Sequence, residues 1–231
     1  MEKINRAIIM AAGLGNRLSP VTNTTPKPLV KVNGVRMIDT IIDALHKNGI
    51  NEIHIVVGYL KEQFAELNKK YDDIDFIENP YFEKYNNISS LYVAQDYISN
   101  AFIIDGDQIV SNSDIFNPEF EKSGYCAAWA EGTNEWLMQV KDNTVMSCSR
   151  KGGKNGWQLY GVSMWTKNDG EKLKKFVAQE FNNGNVSVYW DDVAMFEHFE
   201  SFDLGIRKIE HGDIIEIDSF DELVAVDSSY R

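Results

Sequence analysis

The chain has 231 residues, 43% hydrophobic and 25% charged, which suits an ordinary globular protein able to bury a core without disulfide staples. Its formal net charge of -12 argues against nucleic acid or an anionic membrane as a partner for the surface as a whole. Cys126 and Cys148 lack any C-x-x-C or Cys/His spacing, no stretch approaches the ~20 apolar residues of a membrane span, and MEKINRAIIM runs straight into a strand rather than reading as a signal peptide; the expectation is a cytoplasmic chain with reduced thiols.

In chain order, Ala7–Met10 predicts a buried strand, Met37–Asn48 an amphipathic helix stopped at Gly49, and Glu52–Val57 a second strand. Leu60–Lys70 predicts a second helix, Asp75–Glu78 a third strand, Ser89–Ile98 a helical segment and Ala101–Asp105 a buried strand ending in Asp105-Gly106-Asp107. Tyr125–Trp129, Trp136–Val140, Thr144–Ser147 and Leu159–Trp165 read as shorter, partly antiparallel strands, with Arg150–Trp157 as a basic, glycine-rich loop. Asp169–Asn182 reads as a helix and Tyr189–Glu200 as a strand end or loop entering another. Gly205–Ile209 and Ile214–Ile217 read as strands, and Asp221–Val226 as a short terminal helix. The alternation predicts a Rossmann-like α/β domain, a mixed and mostly parallel sheet flanked by helices, spanning 1–231. Residues 1–110 would form a nucleotide-binding half and 111–231 an acceptor-binding half.

The chemistry concentrates first in AIIMAAGLGNRLSPVTNTTPKPL, residues 7–29. Gly13 and Gly15 allow close backbone approach to a charged ligand and positive φ, while Arg17 and Lys27 supply positive charge for a triphosphate. The segment is neither a P-loop nor a dinucleotide fingerprint, since the position required to be the third glycine is Leu18. Asp105 and Asp107 lie past an apolar strand, where open α/β sheets bind ligands. Asp107 is the expected Mg²⁺ ligand, because Mg²⁺ favours one or two carboxylates plus substrate phosphates; strand alternation turns Asp105 toward the loop backbone. Asp191 and Asp192 supply the second carboxylate, with Asp191 assigned to the metal and Asp192 to a structural or capping role. Trp136, Tyr189 and Trp190, with Trp157 and Tyr160 near the basic loop, predict an aromatic box for a quaternary ammonium, and Glu135 a possible countercharge. Glu216 and Asp218 stand at another strand end, where they either reach the site or decorate the loop.

Taken together, AAGLGNRLSP with TPKPLV, IVVGYLKEQF, YNNISSLY, DGD, TNEW, YWDD and EIDS resemble the bacterial CTP:phosphocholine cytidylyltransferases of the nucleotidyltransferase superfamily, over nearly the whole chain. That resemblance implies Mg²⁺-dependent transfer of CMP from CTP to phosphocholine. It implies Ala12, Gly13, Gly15, Asn87, Ser90 and Asp105 in the nucleotide site, Arg17 and Lys27 as catalytic charges, Asp107 and Asp191 on Mg²⁺, and Trp136, Tyr189, Trp190 and Glu135 around the acceptor. The sequence departs from the family pattern at Asp192, where Asn can occur, and in the loop 150–157. Other acceptors to weigh are 2-aminoethylphosphonate, phosphoethanolamine and a sugar 1-phosphate; a nucleotide-binding regulatory module is the non-enzymatic alternative.

Overall fold

The computed structural model describes residues 2–231. Strand β1, Arg6–Ala11, is buried on both faces from Ala7 onward, as a central strand of a covered parallel sheet must be. Helix α1, Met37–Lys47, places Ile38, Ile41, Ile42 and Leu45 against the sheet. Strand β2, Glu52–Val57, pairs in parallel with β1, and β3, Ile74–Glu78, in parallel with β2. Between them, Lys61–Lys69 forms a 3₁₀ helix rather than the expected α-helix. Its two buried anchors, Phe64 and Leu67, are three residues apart, the spacing a 3₁₀ helix eclipses on one face.

Helix α2, Ile88–Val93, is followed by a 3₁₀ turn at Gln95–Tyr97 and by β4, Ala101–Asp105, parallel to β1 on the side opposite β2. A short strand β5, Gln108–Val110, follows. The second half adds β6, Gly124–Thr133, β7, Leu137–Lys141, β8, Thr144–Ser149, and β9, Gly153–Trp165. Strand β9 joins the halves by pairing antiparallel to β4, Val162 opposite Ile104. The main sheet therefore runs β8-β7-β9-β4-β1-β2-β3, with β6 also paired to β9 and a strand from later in the chain added to β6, nine strands in this sheet among the described residues.

Most of the glycine-rich 150–157 segment is strand, not loop. Its backbone pairs with β6 as far as Gly153 opposite Thr133, and this ladder overrides the composition. Helix α3, Lys167–Asn182, is capped by Thr166, whose hydroxyl accepts the Asp169 N–H. A helical turn at Trp190–Asp192 runs into a π-helical segment, Val193–Glu197. Strand β10, Gly205–Lys208, adds in parallel to β6, β11, Ile214–Glu216, pairs with β5, and α4, Phe220–Val226, follows with Ser219 as its cap. Both cysteines are free thiols, Cys126 buried in β6 and Cys148 half-buried in β8. No described helix is long and apolar enough to cross a membrane.

Candidate active site

A cavity of about 490 Å³ opens beyond the carboxyl ends of β1 and β4. From β1 the chain turns through Ala12, Gly13 and Gly15, all three lining it. Gly15 has φ of +65°, and a side chain there would press on Lys27 and Thr22, so this position requires glycine. Gly13 has open space around it, and its φ is not positive, so the expected left-handed backbone is found at Gly15 and not at Gly13. The Thr22 hydroxyl ties the turn together by donating to the Gly15 carbonyl.

Lys27 is buried, and its ammonium donates to Asp107 Oδ2 at 2.7 Å and Asp218 Oδ1 at 3.1 Å. Desolvation pulls its pKa down, but Asp107 and Asp218 more than offset this and the net direction is upward. Arg17 is exposed and donates to the same Asp218 Oδ1 at 2.9 Å. Asp218, left open between site and loop by the sequence, is thus the carboxylate that gathers both cations.

Asp105 does not face the loop backbone. It lies in the cavity wall with Gln108 and Gly161, because β4 delivers it beside β9 at the point where Gly161 offers no side chain. Desolvation, then Asp107, Asp191 and Glu216, push its pKa well above the carboxylate range. Asp191 also lines the cavity, its pKa raised to about 8 by desolvation and by neighbouring Asp192. Its Oδ1 and the Tyr125 hydroxyl are both shielded without a partner of good geometry, yet the hydroxyl is near enough to favour the carboxylate. Glu216 is raised to about 7 by desolvation, Asp218, Glu135 and Asp107.

These residues hold no ready cage of three or more metal-ligating side chains, and none exists elsewhere among the described residues. Mg²⁺ does not need one, since it keeps waters and takes one or two carboxylates with substrate phosphates. A shielded, unpartnered Asp191 oxygen within a carboxylate cluster countered chiefly by Lys27 fits a hard divalent cation.

Asn87 and Ser90 line the cavity from α2 and its cap. The Asn87 side-chain oxygen is held by the Trp190 N–H at 2.8 Å, so its side-chain NH₂ is the group left to face the cavity. Asn79, buried beneath, donates to Ser89 and Ser90 and fixes their hydroxyls. Across the cavity stand Glu135, Trp136 and Tyr189. Trp136 and Tyr189 meet edge-on at 90° with centroids 6.1 Å apart, forming two walls of a corner.

Trp190 does not join them. It is 2% exposed, packed against Tyr125 and Trp165, because the chain passes from an extended backbone at Tyr189 into a helical turn at Trp190, so that Tyr189 lines the cavity and Trp190 enters the core. Trp157 and Tyr160 also lie off the cavity lining, Trp157 edge-on to exposed Trp129 and Tyr160 hydrogen-bonding His211. Sequence reasoning missed Asn86, Leu159, Gly161 and Gln108 among the lining residues. Gln108 carried a signal: it is a polar residue opening an apolar strand directly after DGD, and its Oε1 is buried without a partner.

A glycine turn with two cations at the strand ends, facing shielded carboxylates and an aromatic corner, defines an α/β nucleotide-binding transferase. The chain belongs to the nucleotidyl transferase family, whose profile matches residues 6–122. Among curated relatives, it is 40% identical to a 2-aminoethylphosphonate cytidylyltransferase of Lancefieldella rimae, covering 99% of this chain and 94% of that one. It is 37% identical to a choline-phosphate cytidylyltransferase of Streptococcus pneumoniae, over 93% of each. The solved structure of a CTP:phosphocholine cytidylyltransferase from Streptococcus pneumoniae superposes with a TM-score of 0.90 at 35% identity, covering 98% of this chain and 99% of that one.

Proposed function

We propose that this enzyme transfers CMP from CTP to phosphocholine, giving CDP-choline and pyrophosphate. The observation that carries the reading is the right-angled Trp136–Tyr189 corner, with Glu135 beside it, on the same cavity as Arg17, Lys27, Asp107 and Asp191. Aromatic faces attract a trimethylammonium head, which has no N–H to donate to a carboxylate. A phosphate attached to that head would lie toward the carboxylates and cations.

The turn at Gly13–Gly15 would cradle the triphosphate, and Ser90 with the free NH₂ of Asn87 would contact the cytosine. An anionic oxygen of the acceptor phosphate attacks the α-phosphorus in line, the α–β bridging P–O bond breaks, and pyrophosphate leaves. No general base is needed, because the attacking oxygen carries no proton to remove. Lys27 and Arg17 stabilise the charge that moves onto the leaving pyrophosphate. Asp107 and Asp191 would hold Mg²⁺, which would supply charge neutralisation for the reacting phosphates.

A second reading keeps the cytidylyl donor and exchanges phosphocholine for 2-aminoethylphosphonate. It is favoured by the cavity carboxylates Glu135 and Glu216, which could accept hydrogen bonds from a primary ammonium, and by the Lancefieldella rimae relative. Pyrophosphate release with CTP and Mg²⁺, compared across phosphocholine, 2-aminoethylphosphonate, phosphoethanolamine and glucose 1-phosphate, separates the readings. Preference for phosphocholine supports the first. Preference for 2-aminoethylphosphonate replaces it with the second, and preference for phosphoethanolamine or turnover of the sugar phosphate alone rejects both.

A further inference from the structure

Two features that the reaction leaves unused, the second aspartate of YWDD and the basic tip of the β8–β9 hairpin, meet in one contact. Asp192 is buried, with its side chain 5% exposed, and it lines no part of the cavity. Its Oδ1 accepts from Arg150 Nε at 2.7 Å and lies 2.6 Å from Arg150 Nη2. Its Oδ2 accepts the Tyr189 N–H at 2.8 Å. The Arg150 guanidinium lies 3.7 Å from the centre of the Phe196 ring and 5.8 Å from that of Trp136. Phe196 in turn meets Trp136 edge-on at 5.4 Å. Both walls of the aromatic corner are therefore tied to one ion pair outside the cavity: Tyr189 through its backbone N–H, Trp136 through Arg150 and Phe196.

We propose that Arg150 and Asp192 are positioning residues that set the Trp136–Tyr189 corner for the acceptor, a role that rests on the acceptor reading above. A flexible lysine would keep a charge for Asp192 but lose the planar stack on Phe196 and the two-nitrogen grip on one oxygen. Removing Arg150 altogether leaves Asp192 Oδ1 buried without its cation, so the carboxylate that holds the Tyr189 N–H loses its other anchor.

The test is steady-state kinetics of the full chain and of Arg150→Met, Arg150→Lys, Asp192→Asn and the Arg150→Met/Asp192→Asn double variant, with thermal unfolding run alongside. The expected result for Arg150→Met is an acceptor KM raised about tenfold with CTP KM unchanged within about twofold. Arg150→Lys should recover part of the loss, and the double variant should cost less than the product of the two single effects, as residues acting through one contact do. A merely structural role would instead lower the unfolding temperature while moving both KM values together or neither. That outcome, or fully multiplicative single effects, overturns the proposal. If the parent enzyme prefers 2-aminoethylphosphonate, the phosphocholine reading fails, and the same split measured with the phosphonate decides the role of Arg150. A parent enzyme inactive with every acceptor overturns both.

Discussion

Lys27 remains charged although buried, because Asp107 and Asp218 each accept a hydrogen bond from its ammonium. Arg17, which shares Asp218, is exposed, and its pair is worth only about 0–1 kcal/mol to the fold. The two cations therefore play unequal parts. Lys27→Met should lower kcat for pyrophosphate release by about 10²–10³-fold, the scale of losing one preorganised charge at a leaving group. Arg17→Met should cost less in kcat and leave the unfolding temperature unmoved. A second contrast separates neighbouring aromatic positions. Trp136→Ala should raise the acceptor KM by about tenfold, since cation–π attraction is worth roughly 1–2 kcal/mol, and should also cost some stability through its lost packing on Phe196. Trp190→Phe, in the core against Tyr125 and Trp165, should lower stability by roughly 1–3 kcal/mol in denaturant unfolding and leave that KM where it was.

Elements rather than residues decide where the Trp136–Tyr189 corner stands. The turn between β8 and β9 depends on Gly152, with φ of +67° and its Cα against the Thr133 carbonyl, where any Cβ would collide with backbone. Gly152→Ala should destabilise the protein by about 1–3 kcal/mol. Because the same turn presents Arg150, the acceptor KM should rise as well while the CTP KM holds, which thermal unfolding and paired kinetics will show. The parallel strands were legible in the sequence, since burial on both faces writes a continuous apolar run such as AIIM in β1 or the IVV that closes β2. The extent of β9 was not, because its glycine and lysine residues become strand only by pairing with β6, far away in sequence. The cavity lining was legible where a motif fixes a turn, as at Gly15, Lys27 and Asp107. It was misread at Trp190 and Asp105, where the direction of one side chain depends on a helical turn or on the glycine of a neighbouring strand. The 3₁₀ geometry of Lys61–Lys69 was hidden for a similar reason: buried residues three apart suit either helix, and tertiary packing chooses.

At the scale of the whole molecule, a chain of net charge -12 gathers several of its carboxylates around one cavity and counters them chiefly with Lys27. Asp191 is raised to about 8 and Glu216 to about 7 in the fold, both above their ordinary carboxylate values. Between the ordinary values and these, the folded protein binds more protons than the unfolded chain. The contribution of these two groups to stability therefore falls as pH rises through that window, the reverse of the usual dependence for ion-paired carboxylates. The contribution is fully present below about pH 4 and is lost once the pH exceeds about 8. The unfolding temperature without divalent cations should then decline from pH 5 to pH 8. Asp191→Asn should flatten the slope, because its amide has no proton to lose. A cation held by Asp107 and Asp191 would replace the departing protons, so Mg²⁺ should raise the unfolding temperature more at pH 8 than at pH 5, and little in Asp191→Asn. Thermal unfolding across pH, with and without Mg²⁺, measures this without any turnover. A slope that is flat in the parent protein, or equal in the variant, would show that the cavity carboxylates do not share the electrostatic strain that makes the site receptive to a cation.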